Sequence, residues 1–147
     1  MVTRQIIDLE PRERRVYQQL RDEMVLDLDE QVIDAANAAA LSGKLLQLAS
    51  GAIYNETGDT AIIHERKLDA FEDLIEATNG RPLLVAYWSK HDLQRITERF
   101  LQARELKTSA DIAAWNDREI PLALIHPASA RTGLNLQQGG NLLGEFL

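Results

Sequence analysis

Leu83-Leu84-Val85-Ala86-Tyr87-Trp88 is an almost unbroken apolar run, and it constrains the fold more than any other stretch of the chain. A strand with one face in water alternates apolar and polar residues. A strand without a polar face is covered on both sides, as in a parallel sheet packed between helices. Leu122-Ala123-Leu124-Ile125 repeats the pattern. Leu93, Ile96 and Phe100 recur between the two runs at helical spacing. A short strand near Leu106 and a helix around Ile112 to Trp115 complete that interval. Upstream, Leu68, Phe71, Leu74, Ile75 and Thr78 mark one helix face, stopped by Asn79-Gly80 and Pro82. Strands alternating with helices predict an α/β fold, a three-layer and mainly parallel sheet. Asn141-Leu142-Leu143 starts a further strand, although Gly144-Glu145-Phe146-Leu147 looks unlike the apolar strand expected there.

The first half has a less regular rhythm. Arg4 to Leu9 reads as a short strand. Pro11 suits the first turn of a helix, where its missing N–H would be unbonded anyway. Val16, Leu20 and Met24, with Tyr17 beside them, give that helix its apolar stripe. A second, alanine-rich helix is expected over Asp29 to Leu41, then a short helical turn over Lys44 to Ala49, ended by Gly51. Asn55 and Gly58-Asp59 place a turn or hairpin within Tyr54 to Ile63. One domain is expected overall, with a helical lead-in over 1–50 and the sheet core over 51–147.

With 147 residues, 45% of them hydrophobic, the chain can bury a core of one ordinary domain. It has no cysteine, which excludes disulfides, thiolate metal sites and cysteine nucleophiles. No apolar stretch has the length of a membrane helix, and the N-terminal residues lack the apolar segment of a secretory signal, so a cytoplasmic location is expected. The net charge is -7. A chain this acidic binds a polyanion weakly by itself, because neutralisation of phosphates drives such binding. Arg12, Arg14 and Arg15 fit a solvated helix face.

Chemistry is sparse. There is neither a GxxxxGK[ST] loop nor a GxGxxG turn, and Gly139-Gly140 is too short to stand for either. His64, His91 and His126 lie far apart and out of metal-ligand spacing, so each is expected on the surface or in a loop. His126 and Ser129 suggest a base and a nucleophile, but no GxSxG elbow accompanies them. Tyr87 and Trp88 are expected in the core, and Ser89 and Lys90 either cap the next helix or face a ligand. The segment His126 to Asn141, HPASARTGLNLQQGGN, is the strongest candidate. It follows an apolar strand directly, and in open α/β sheets the loops at the carboxyl ends of strands hold ligands.

These blocks, in their order, resemble the second RecA-like lobe of Swi/Snf-type helicase-like ATPases of superfamily two, closest to the phage and prophage branch. VTRQIIDLEPRERRVYQQLRDEM resembles the passage into that lobe. LSGKLLQLASGAIY resembles the family's Leu-x-Gln-Leu block, and HERKLDAFEDLIE the helix before the first core strand. RPLLVAYWSKHDLQRI is similar to motif IV, and IHPASARTGLNLQQGGN to motif V, whose GLNLQ ending is the most specific of these matches.

The resemblance implies a RecA-like helicase C-terminal lobe, incomplete at its C-terminus, because motif VI with its ATP-reaching arginines would lie past Leu147. It implies ATP and Mg only in a complete two-lobe protein, whose N-terminal RecA-like lobe carries the phosphate loop, and double-stranded DNA lying across both lobes. Ser129 then corresponds to a DNA-phosphate contact, with Arg131, Ser89 and Lys90 as further DNA-side contacts. Gly133, Leu134, Asn135 and Gln137 correspond to the part coupling DNA contact to the ATP cleft, and Gly133 would allow a close backbone approach. The chain alone is expected to be inactive in phosphoryl transfer. An unfinished lobe would expose a sheet edge, so self-association of the isolated chain is expected. A second class stays open: a non-enzymatic protein-interaction or regulatory module derived from a decayed motor lobe. A small-molecule Rossmann-type enzyme fits poorly without a glycine loop after its first strand.

Overall fold

Pro11 opens the first helix of the computed structural model, which describes residues 4–28, 31–132, 134–140 and 142–146, and only the backbone of 130–132. The chain forms two units, Met1–Phe71 and Glu72–Leu147.

In the first unit, α1 (Pro11–Glu23) starts with proline in its first turn. The Glu13 carboxylate accepts the Glu10 N–H at 2.7 Å, satisfying a donor left open at the helix start. Met24 closes the helix in the left-handed region, φ 58°, its N–H bonded to the Leu20 carbonyl. The expected strand over Arg4 to Leu9 is absent: residues 4–10 form no helix or strand and are largely exposed, and no described strand pairs with them. Apolar residues alone do not make a strand without a ladder partner.

The helix expected over Asp29 to Leu41 is also corrected. β1 (Val25–Leu28) and β2 (Gln31–Asp34) pair antiparallel, with Leu26 opposite Ile33. Both of these are fully buried, so the period-two pattern of these short segments outweighs the helical preference of the alanines that follow. The helix starts later. α2 (Ala38–Ala49) is capped by Asn37, whose side chain accepts the Ala40 N–H at 2.9 Å. It absorbs the turn expected over Lys44 to Ala49. β3 (Ala52–Tyr54) and β4 (Thr60–Ile62) make the expected hairpin. Leu20, Leu26, Ile33, Leu48 and Ile53 form the core of this unit.

α3 (Arg66–Ala77) crosses from one unit into the next. The second unit holds the α/β sheet. β5 (Leu83–Tyr87), α4 (Lys90–Arg99), β6 (Ala103–Glu105), α5 (Ser109–Asn116), β7 (Leu122–Ile125), a 3-10 turn (Pro127–Thr132) and β8 (Leu142–Phe146) follow in order. The four strands are parallel and run β6-β7-β5-β8 across the sheet. Every residue of the inner strand β7 is buried, as its unbroken apolar sequence predicts.

Leu84 and Ala123 are paired in register and pack with Leu106, Ala114, Trp115 and Ile120, which puts α5 over their face. On the other face, Gly144 of β8 lies against Val85, Leu83 and Leu74 of α3. The tail that looked unlike a strand is therefore one, half-buried at the sheet edge. An edge strand needs only partial apolar character, which explains its mixed sequence.

Candidate functional site

The strand order has a reversal in it. From β5 the chain moves past β7 to reach β6, and from β7 it moves back past β5 to reach β8. Adjacent strands whose onward connections leave in opposite directions open a crevice at their carboxyl ends, the place where ligands bind in sheets of this type. Here that place lies between the end of β5, Tyr87-Trp88-Ser89-Lys90, and the end of β7, His126-Pro127-Ala128-Ser129.

His126 joins the two ends. Its Nδ1 accepts the Ala128 N–H at 3.1 Å, which leaves Nε2 to carry the proton, and Nε2 lies 3.3 Å from the Trp88 carbonyl oxygen. The imidazole also meets Tyr87 edge-on, with centroids 5.5 Å apart, and Trp88 at 6.4 Å. The Ser129 N–H donates to the His126 carbonyl and closes the turn, while the rest of Ser129 is exposed. Ser89 is the N-cap of α4, its hydroxyl oxygen accepting the Asp92 N–H at 3.0 Å. Lys90 follows, exposed in the first turn. Ser89, Lys90 and Ser129 thus share one edge.

Tyr87 is buried, as expected, and its hydroxyl donates to Glu105 at the end of β6. Burial pushes the phenol well above its ordinary range, and the hydrogen bond to the carboxylate adds to the effect. Trp88, expected in the core, is instead 56% exposed. It follows the last paired residue of β5, so the alternation that buries Leu83, Val85 and Tyr87 no longer governs it. One histidine expectation is overturned as well. His91 is buried on the inner side of α4 beside Asp92 and Arg95, whereas His64, also buried, lies in the loop between β4 and α3 as a loop position was expected.

The remaining candidates lie elsewhere. Arg131 has no described side chain and Gly133 lies outside the described residues. Leu134 is half-buried, and Asn135 and Gln137 are exposed. The segment from Leu134 to Gly140 runs along the end of α5. The Trp115 indole N–H donates to the Leu136 carbonyl at 2.9 Å, Asn116 Nδ2 to the Asn135 carbonyl at 3.0 Å, and Arg118 Nε to the Gln138 carbonyl at 3.2 Å. A β-carbon on Gly139 would collide with the indole and carbonyl oxygen of Trp115, and one on Gly140 would come within 3.1 Å of the Pro82 carbonyl oxygen. Pro82 precedes β5, so this part of the segment has reached the amino edge of the sheet. Asn135 and Gln137 are accordingly not brought together with Ser89, Lys90 and Ser129. The glycine pair serves close packing, a role visible only once Trp115 is placed against it.

Among the described residues, no group of three or more His, Cys, Asp or Glu could hold a metal ion. No described helix is long and apolar enough to cross a membrane. A concavity of about 450 Å³ in the first unit is bordered by Glu10, Glu13, Val16, Leu28 and Ile63, and none of the candidate residues lines it.

Over 142 residues, 95% of its length, the chain is 42% identical to protein p41 of Acyrthosiphon pisum secondary endosymbiont phage 1. It is therefore similar to a phage protein, and it spans about a third, 31%, of that relative's length. No family profile and no solved structure matches the chain.

Proposed function

We propose that this chain is the second RecA-like lobe of a Swi/Snf-type DNA-dependent ATPase, supplying motifs IV and V and inactive on its own. One observation carries the reading. The adjacent parallel strands β5 and β7 put the end of the strand in the segment resembling motif IV beside the start of the segment resembling motif V at the carboxyl edge, tied through His126 and Trp88. Two loops that far apart in sequence become neighbours because β5 and β7 are adjacent parallel strands.

In this reading Lys90 and Ser129 contact DNA phosphates, one as a cation and the other as a hydroxyl, with Ser89 holding the start of α4 beside them. Arg131 adds a second cation. Leu134, Asn135 and Gln137 belong to the segment that leads away from the DNA edge along α5, and with Gly133, which lies outside the described residues, they would relay DNA contact to the ATP cleft. ATP and Mg bind only when a first lobe brings the phosphate loop and the acidic metal site. Water then attacks the γ-phosphorus, ADP leaves, and closure of the two lobes is coupled to movement on double-stranded DNA. The share of the phage relative that the chain spans agrees with a lobe of a larger protein.

The test is ATP hydrolysis by this chain, extended by the residues encoded downstream of Leu147 and mixed with the polypeptide encoded immediately upstream, with and without double-stranded DNA. DNA-stimulated turnover is expected. Absence of turnover, with both polypeptides shown to be folded, would replace the motor with a non-enzymatic interaction module.

A further inference from the structure

Trp88 is the large aromatic side chain that the second unit leaves open. Of the two tryptophans, Trp115 is fully buried and hydrogen-bonded, while Trp88 keeps 56% of its surface in solvent. Tryptophan is among the most buried residue types on average, so an open indole is informative where an open leucine is not. Its setting adds to this. The Trp88 carbonyl is held by His126 Nε2, and the two rings meet edge-to-face with 70° between their planes. Such a contact orients the indole without covering it. The residue also stands at the reversal in strand order, with exposed Lys90 two positions on and exposed Ser129 on the neighbouring turn.

An oriented indole beside a cation and a hydroxyl has the parts of a site for a base and its adjoining phosphates. Stacking on a base needs a free π-face, and in a duplex those faces are occupied by neighbouring base pairs. We infer that Trp88 is a stacking platform for a nucleobase unpaired where the double-stranded substrate is locally opened, with Lys90 and Ser129 meeting the flanking phosphates, so that this edge takes the strand whose bases have become accessible. The inference rests on the reading that the edge meets nucleic acid, and it goes further by naming the strand state and a residue the motifs did not single out.

The experiment titrates the whole chain at low salt with oligo(dT) of about 12 nucleotides, following tryptophan emission and the anisotropy of a labelled oligomer. Inorganic polyphosphate and a matched duplex serve as comparisons. Oligo(dT) is expected to quench the wild-type emission, and polyphosphate to leave it unchanged. In Trp88→Ala the remaining emission comes from buried Trp115 and should not respond, and binding should weaken roughly 5- to 150-fold. Trp88→Phe should recover part of the affinity, because a smaller ring still stacks. Oligo(dT) bound without quenching, or bound equally by Trp88→Ala, would overturn the inference. A duplex bound equally by wild type and Trp88→Ala, with no response to oligo(dT), would remove the platform and keep the DNA-binding reading. No binding of either nucleic acid would remove both.

Discussion

His126 Nε2 lies 3.3 Å from the carbonyl oxygen of Trp88, and this contact joins the carboxyl ends of two strands 38 residues apart in the sequence. The same ring accepts the Ala128 N–H through Nδ1, so one imidazole holds both the end of β5 and the turn after β7. His126→Ala removes both hydrogen bonds at once. Each is worth about 0.5–1.5 kcal/mol net, and the loss falls on local opening of the turn. The expected outcome is exchange of the Ala128 and Ser129 amides several-fold faster, with the amide of Leu124 in β7 unchanged. Unaltered exchange at Ala128 would show that the imidazole does not hold the turn.

His91 makes stability depend on pH. Burial holds its imidazole below the ordinary value of 6.5, the Arg95 charge adds to this, and Asp92 opposes it. A group with a lowered folded pKa takes up its proton first in the unfolded state. Acidification below 6.5 therefore favours unfolding until the folded ring also titrates, and stability is flat above 6.5. Urea midpoints followed from pH 7.5 downwards should fall below pH 6.5 in the wild type. His91→Gln should flatten that part of the curve, and an unchanged slope in this variant would assign the effect to other groups.

The second unit was largely legible because its strands are buried on both faces. Leu83 to Tyr87 and Leu122 to Ile125 announce themselves by composition, and Ile96 and Phe100 fix a helix face by spacing. Strands of four residues do not give such a signal. Leu26 and Ile33 are core residues of a hairpin, yet the alanines beside them favour a helix, and only their pairing decides. Trp88 stands exposed although it belongs to the apolar run, because the run continues one residue past the ladder. The reversal at β5 and β7 cannot be read from the sequence at all, since strand order arises from tertiary packing. For the same reason the run of motifs gave no sign that Asn135 and Gln137 would stand at the opposite edge from Ser129.

The acid limb of stability belongs to other carboxylates. The N–H groups of Thr108 and Lys107, then the Arg104 guanidinium and the Thr108 hydroxyl, hold Asp111 well below its ordinary 3.8. Hydrogen bonds from Arg66 hold Glu13 below 4.5. Both lowered values contribute stability that is complete above the unfolded pKa and is lost as pH falls through the folded one. Asp111→Asn keeps the size of the side chain and removes the charge, so it should flatten the fall below pH 3.8 while leaving the step from His91 in place. Loss of both steps together would mean that the two groups do not titrate independently.

Two glycines should respond in opposite ways to alanine. Gly43 lies inside α2, and a β-carbon there meets nothing within 4 Å. Gly43→Ala lowers the entropy of the unfolded chain without a clash, and it should stabilise the first unit by about 0.5–1 kcal/mol. Gly139 is the converse, since its β-carbon would run into the Trp115 indole and carbonyl. Gly139→Ala must push Leu134 to Gly140 off the end of α5 and strain the bond from Trp115 Nε1 to the Leu136 carbonyl. The expected cost is about 1–3 kcal/mol, as for other overpacked sites. Denaturation midpoints separate the two signs, and tryptophan emission reports the second site directly. In Gly139→Ala made on a Trp88→Phe background, emission from Trp115 should shift to longer wavelength as its hydrogen bond loosens and water reaches the ring. A variant with wild-type midpoint and emission would show that the segment can move aside freely, and that Trp115 does not anchor it.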